Sequence, residues 1–190
     1  MSFYRSKGKR ALDCSLAAAA LVLSSPLLLV TAAAILIEDG PPVLFRQRRT
    51  GKHLAPFEIT KFRSYPVDSP NLPSSAASAL RPTAVGRVIR RLNIDELPQL
   101  FQVLEGSMSL IGPRPSLPTQ SELNRLREES GASVCLPGLT GLAQVSSYNG
   151  MPEAEKARLD AEYANGITLR RDLEILLRTV GYLLRPPPVY

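Results

Sequence analysis

The chain has 190 residues, of which 44% are hydrophobic and only 6% aromatic, enough for one domain with its own core. Its formal net charge of +6 suits an anionic partner such as phosphate or a membrane surface, while few aromatics and no RNA- or DNA-binding motif argue against nucleic acid. Two cysteines far apart, Cys14 and Cys135, exclude a disulfide framework or a zinc site and read as free thiols in a reducing compartment.

Residues 1–10 carry Arg5, Lys7, Lys9 and Arg10 and no acid, and the 24 residues from Cys14 to Ile37 carry no charge. A straight helix of that length would cross a hydrocarbon core of ~30 Å. A cleaved signal peptide fits the basic start and Ala32-Ala33-Ala34, but the run is long for that role. A spanning helix is the ordinary reading, yet Lys7, Lys9 and Arg10 precede the run and Arg46, Arg48, Arg49 and Lys52 follow it. Basic flanks prefer the cytoplasmic side, so one crossing misplaces one flank. A re-entrant helix satisfies both. Pro26, preceded by Ser24 and Ser25, removes a helix hydrogen bond, and serine hydroxyls can satisfy a carbonyl freed at a kink. The expectation is therefore a re-entrant membrane anchor broken at Ser25-Pro26, with Asp13 at its entry either held by a basic neighbour such as Arg10 or solvated.

Asp39-Gly40-Pro41-Pro42 reads as a turn. Val43-Leu44-Phe45 reads as a strand, residues 47–52 as a basic hairpin, and residues 57–63 as the partner strand. Lys61 and Arg63, two apart, are expected to share one face, meeting either solvent or a diphosphate. Between Gly40 and Ile94 there are ten Lys/Arg against the two acids Glu58 and Asp68. Residues 66–82 read as a low-complexity loop, either a cover for a site or a mere connector, and residues 85–92 as a short helix carrying Arg87, Arg90 and Arg91.

Residues 90–115 hold the chemistry. Pro98 is tolerated in a first helical turn, so a helix is expected from near Asp95 to Glu105, with Leu97, Leu100, Phe101 and Leu104 on its apolar face and Gly106 as terminator. Asp95 and Glu96 then sit at a helix start. They are either an N-cap and a first-turn acid, or a nucleophile and a magnesium-binding pair. Arg114, between Pro113 and Pro115, is a stiffened fork for bidentate phosphate binding, or a surface arginine in a rigid turn. Further helices are expected over 117–130, 153–163 and 169–184. The last has Leu173, Leu176, Leu177, Val180, Leu183 and Leu184 near one face, which suits the membrane surface as well as the domain core. Three prolines then give an extended tail.

The block Arg90-Arg-Leu-Asn-Ile-Asp95-Glu96-Leu-Pro-Gln-Leu-Phe-Gln-Val-Leu-Glu-Gly-Ser-Met-Ser-Leu-Ile-Gly-Pro-Arg114-Pro115 resembles the core motif of the bacterial sugar transferases that are monotopic phosphoglycosyl transferases. Pro42 to Gly51, Lys61-Phe-Arg63-Ser64 and Pro137-Gly-Leu-Thr-Gly-Leu-Ala-Gln144 resemble further blocks of that family, in the same order. The resemblance implies an α+β fold, mostly helical with a small β-hairpin and interfacial amphipathic helices. It implies an anchor over residues 1–38, broken at Ser25-Pro26, and a catalytic domain over residues 39–190 on the cytoplasmic face of the bacterial inner membrane. It implies transfer of a phosphosugar from a UDP-sugar to a polyprenol phosphate such as undecaprenyl phosphate, releasing UMP, as the first membrane step of glycoconjugate biosynthesis. Asp95 would be the nucleophile, Glu96 would help hold Mg²⁺ or handle a proton, and Lys61, Arg63, Arg90, Pro113, Arg114 and Gln144 would line the substrate site. Membrane lipids are expected partners, and a homodimer is allowed. The family usually has Met at Tyr65 and Arg-Asn at Tyr148-Asn149. The rival readings are a membrane-tethered adaptor that binds anionic lipid without catalysis, and a glycosyltransferase that releases UDP.

Overall fold

The computed structural model describes residues 3–69, 81–146 and 151–183; most of the 66–82 loop, Tyr148-Asn149 and the proline tail lie outside them. Helix α1 (Lys9–Asp39) is followed by strands β1 (Leu44–Thr50) and β2 (Pro56–Phe62), an antiparallel hairpin with Arg48 opposite Glu58. Then come α2 (Ala84–Arg91), a tight turn at Ile94–Glu96, α3 (Gln99–Glu105) and β3 (Ser109–Ile111). The remainder is α4 (Ser121–Glu129), β4 (Gly138–Thr140), α5 (Leu142–Ser146), α6 (Glu153–Asn165) and α7 (Leu169–Leu183). The α+β, mostly helical class with one small hairpin is as expected. The second sheet, a parallel pairing of β3 with β4, is not.

Helix α1 runs unbroken through Pro26, where a break was expected. The Pro26 nitrogen would have bonded the carbonyl of Val22, four residues back. The Ser25 hydroxyl donates to that carbonyl instead, at 2.8 Å, so the local hydrogen bonding survives the proline. The inward residues of α1 are Asp13, Ala17, Leu21, Thr31 and Ile35. At 100° per residue they fall on one narrow stripe. Val22, Leu23, Leu29, Val30 and Ile37 are exposed.

Both ends of this helix are tied to the rest of the chain by polar contacts. At the start, the Lys9 ammonium meets Asp172 at 3.0 Å, and Asp13 accepts from Ser109 Oγ at 2.7 Å and from the Leu110 N–H. The basic neighbour that holds Asp13 is Lys9, at 3.7 Å; Arg10 instead donates to the carbonyls of Val103 and Leu104, at the C-terminal end of α3, where a cation is favoured. At the other end, Glu38 accepts from the N–H groups of Ala84 and Val85 at 2.6 and 3.0 Å, and Asp39 pairs with Arg63 at 3.2 Å.

One apolar cluster gathers Ala17, Leu21, Leu100, Val103, Met108, Ile111, Tyr163 and Ile175, with Leu97 partly buried against it. A second joins Ile35 to Phe62, Ile89 and Ile94. In α7 the pattern divides. Asp172 and Ile175 point inward, whereas Leu169, Leu173, Leu177 and Val180 are exposed. Asp172 is buried because the hydroxyls of Tyr4 and Tyr163 both donate to it, at 2.5 and 2.8 Å, beside the Lys9 ammonium.

Candidate active site

The turn that carries Asp95 begins at Asn93, whose φ of 55° is a left-handed conformation asparagine tolerates. Helix α3 starts only at Gln99, later than the sequence suggests. Its inward residues are Gln99, Leu100, Gln102 and Val103, while Phe101 is exposed and Leu104 sits at the surface. The expected apolar face is thus rotated, because Gln102 has partners inside. Its amide oxygen accepts from the Thr60 N–H at 2.9 Å and its nitrogen donates to the Glu58 carbonyl at 2.5 Å. Both arms grip the backbone of β2, which fixes the hairpin beside the Asp95 turn.

Lys61 on β2 therefore reaches Glu96, at 2.5 Å. Arg114 reaches the same carboxylate with both nitrogens, at 2.6 and 3.4 Å. Burial alone would raise the pKa of Glu96, but Arg114 and Lys61 outweigh it and hold the group well below the usual carboxylate range. Asp95 is 7% exposed, and no hydrogen bond among the described residues ties its carboxylate. Burial, then the neighbouring Glu96 charge, pushes it up to about 6, opposed by Lys61, Arg90 and Arg114. Two adjacent carboxyls with different environments divide into a clamped anion and a freer, more basic one.

Arg90 completes this side of the site, stacked over the Tyr65 ring at 5.1 Å from its centroid, which gives the unusual tyrosine a partner. The Pro113 carbonyl accepts from the Gly138 N–H at 2.9 Å, which fastens the Arg114 loop to β4. This close approach needs glycine: a Cβ on Gly138 would stand 2.1 Å from the Gly112 nitrogen. Beneath the loop, Arg127 donates to the Arg114 carbonyl and to Ser116 Oγ, both at 3.0 Å, and is neutralised by the buried Asp160 at 2.7 Å.

Two expected site residues have other partners. Arg63 does not share the face of Lys61 toward Glu96; its guanidinium donates to the carbonyls of Asp39 and Gly40 at 3.0 and 2.6 Å, because the end of α1 offers unpaired carbonyls that attract a cation. The Gln144 amide donates to the Leu139 carbonyl at 3.0 Å, closing its own loop. Two residues not expected are present. Arg49 lies on the Lys61 face of the hairpin and Gln99 one turn after Asp95. Both line a pocket with Ile59, Lys61, Arg114 and Pro115. The sequence signal for Arg49 was its phase, since 45, 47 and 49 alternate inward on β1.

No group of three or more His, Cys, Asp or Glu side chains able to hold a metal occurs among the described residues. The donor set is instead Asp95 and Glu96, with Glu96 Oε1 taking both short cation bonds and Oε2 only the 3.4 Å one. Two carboxylates with free lone pairs fit magnesium as it is usually bound with phosphate substrates, through one or two carboxylates plus phosphate oxygens.

Comparison with known proteins gives the family. The family model for bacterial sugar transferases matches residues 4–186. The UDP-glucose:undecaprenyl-phosphate glucose-1-phosphate transferase of Caulobacter vibrioides is 42% identical over 96% of this chain and 72% of its own length. The undecaprenyl-phosphate galactose phosphotransferase of Salmonella typhimurium is 35% identical over 96% of this chain but 41% of its own length. An N-acetylgalactosaminephosphotransferase of Aeromonas hydrophila that uses undecaprenyl phosphate is 39% identical over 93% and 43%. The chain belongs to the bacterial sugar transferase family.

Proposed function

We propose that the chain transfers a sugar 1-phosphate from a UDP-sugar to a polyprenol phosphate such as undecaprenyl phosphate, releasing UMP. A carboxylate oxygen of Asp95 attacks the β-phosphorus of the donor. The Asp95–phosphorus bond forms, the phosphorus–oxygen bond to UMP breaks, and UMP leaves with the electron pair. An oxygen of the lipid phosphate then attacks the same phosphorus and frees the Asp95 carboxylate, leaving a polyprenyl diphosphosugar. The observation that carries this reading is the unequal pair: Glu96 clamped by Lys61 and Arg114, and Asp95 buried, untied and pushed up to about 6. Such a carboxylate is mostly ionised at neutral pH yet more basic than an ordinary aspartate.

Lys61, Arg90 and Arg114 surround the charge that builds on the phosphoryl oxygens. Asp95 and Glu96 would hold Mg²⁺ together with the substrate phosphates, and the ion would neutralise part of their charge. The relatives act on different sugars, glucose in one and galactose in another, so the donor here is identified by a panel of UDP-sugars.

The membrane part of the reading rests on α1. Its outer surface is apolar and exposed over most of its length, whereas its two ends bind the same polar body. A helix held in this way does not place its ends on opposite sides of a bilayer. Both ends then lie on one side of the bilayer, which the basic flanks mark as cytoplasmic. Exposed Leu173, Leu177 and Val180 of α7 suit the same interface.

The test is intact-protein mass spectrometry after mixing with the cognate UDP-sugar and no lipid. A phosphosugar adduct that disappears on adding polyprenol phosphate is expected. Release of UDP in place of UMP, or an adduct retained in Asp95→Asn, overturns the scheme.

A further inference from the structure

We propose that Arg49 and Gln99 form a subsite for phosphoryl oxygens beside Asp95, a deepening that rests on the transfer reading above. Gln99 is 3% exposed and Arg49 9%. The Gln99 amide nitrogen and the Arg49 Nε are buried and have no hydrogen-bond partner among the described residues. Buried N–H groups are seldom left unpaired, and each exception calls for a partner such as a water or an ion. The two donors are not scattered. Both side chains line one pocket with Lys61 and Arg114.

The chemistry of that lining selects the ligand. It offers an amide N–H and three cationic side chains, so it suits an acceptor-rich anion. The other donors of Arg49 already have partners, the Gln47 side chain at 2.5 Å and the Pro115 carbonyl at 3.4 Å, which hold the guanidinium in place and leave Nε as its unpaired donor. Burial and the nearby Arg114 charge lower the Arg49 pKa to about 10. Arg49 and Arg114 repel each other in a poorly solvated place that the Glu96 charge only partly offsets, and a further anion relieves that repulsion better than neutral water. Lys61 and Arg114 of the same lining also act electrostatically on Asp95, which places an anion held there near the carboxylate that reacts. A phosphate oxygen meets all these demands. It comes either from the nucleotide donor or from the lipid phosphate.

The experiment uses the full chain in detergent with two variants. Gln99→Met removes the amide at nearly constant volume, and Arg49→Lys keeps the charge but removes Nε. Inorganic pyrophosphate binding is measured by calorimetry, and melting temperature without ligand. Single-turnover UMP release is measured without lipid, then transfer to polyprenol phosphate. Pyrophosphate affinity falls about tenfold or more in each variant, as expected for loss of a hydrogen bond to a charged group, while Gln99→Met melts no lower than wild type. A fall in UMP release assigns the subsite to the nucleotide phosphates. A fall in lipid transfer alone assigns it to the lipid phosphate. Unchanged pyrophosphate affinity, no pyrophosphate binding by wild type, or loss of binding only alongside a lowered melting temperature overturns the proposal. Should wild type release UMP from no UDP-sugar, the transfer reading falls and the pyrophosphate measurement still decides the subsite.

Discussion

Replacing Asp95 by Asn should make the free protein more stable while abolishing transfer. The Asp95 carboxyl is raised from an ordinary 3.8 to about 6, chiefly by burial and then by the Glu96 charge. A folded-state pKa above the unfolded one means that ionisation works against folding. The group adds nothing unfavourable below about pH 4. Its unfavourable contribution grows as pH rises through 6 and is complete above about 7. At 1.36 kcal/mol per pH unit, the rise corresponds to about 3 kcal/mol. Asn is nearly isosteric and cannot ionise, so Asp95→Asn recovers up to that amount at pH 8 and almost none at pH 4. Urea or thermal unfolding in detergent at pH 4, 6 and 8, with wild type and variant in parallel, reads the difference directly. A variant less stable than wild type at pH 8, or a difference that does not change with pH, refutes the reasoning.

Glu96→Gln has the opposite sign. It leaves Lys61 and the half-exposed Arg114 without their carboxylate and should lower stability by roughly 3 kcal/mol; because the Glu96 pKa is depressed, the loss is full above about pH 5 and shrinks on acidification, which the same unfolding series checks. Single-turnover UMP release should rise from pH 5 to a plateau above about 7 with its midpoint near 6, following ionisation of Asp95; a flat profile over that range contradicts Asp95 as nucleophile. Gly138→Ala would press a Cβ to 2.1 Å from the Gly112 backbone, so it should unfold at least 2 kcal/mol earlier, as an order-of-magnitude figure for overpacking, or displace Arg114 and weaken nucleotide binding; equilibrium unfolding and UDP affinity distinguish the two.

The sequence was most legible where local rules decide. The hairpin around residues 44–62 and the helices that start near residues 84, 153 and 169 follow from alternation and periodicity. The Asp95-Glu96 and Arg114 groups, 18 residues apart, were legible as one site only through the family resemblance, since spacing does not say that Arg114 folds back onto Glu96. What could not be read depends on long-range polar pairing. Phe101 and Leu104 look like core, yet Gln99 and Gln102 point inward because the backbone of β2 and a charged pocket lie there. Arg63 looks like a second phosphate ligand, and its guanidinium donates to the carbonyls at the end of α1. Asp172 stands among Arg170, Arg171 and Glu174 in sequence and looks like one more surface charge, yet it is buried because two tyrosine hydroxyls and a lysine from far along the chain converge on it. The β3–β4 pairing was hidden because its glycines, Gly112 and Gly138, read as ordinary turn residues.

The position of the reacting carboxylate follows from the packing just before it. Ile94, adjacent to Asp95, is buried in one cluster with Ile35 of α1, and Leu97 packs against the same cluster, as do Leu28 and Ala32 of α1. The turn that presents Asp95 therefore rests on the apolar helix with only one layer of side chains between them. Under the transfer reading this contact has a consequence. A polyprenol phosphate keeps its chain in the hydrocarbon and its phosphate at the headgroups, while the nucleotide arrives from water. A turn seated on a lipid-facing helix, with the charges of Lys61, Arg90 and Arg114 acting on its carboxylate, meets both at one depth. The same seat also explains the electrostatics: apolar packing beneath Asp95 excludes water and raises its pKa, and the cations on the polar side keep Glu96 charged beside it. Membrane contact and nucleophile activation are then two results of one packing arrangement. A substitution such as Ile94→Ala should disturb both, lowering the pH at which UMP release reaches half its plateau as water enters beneath Asp95.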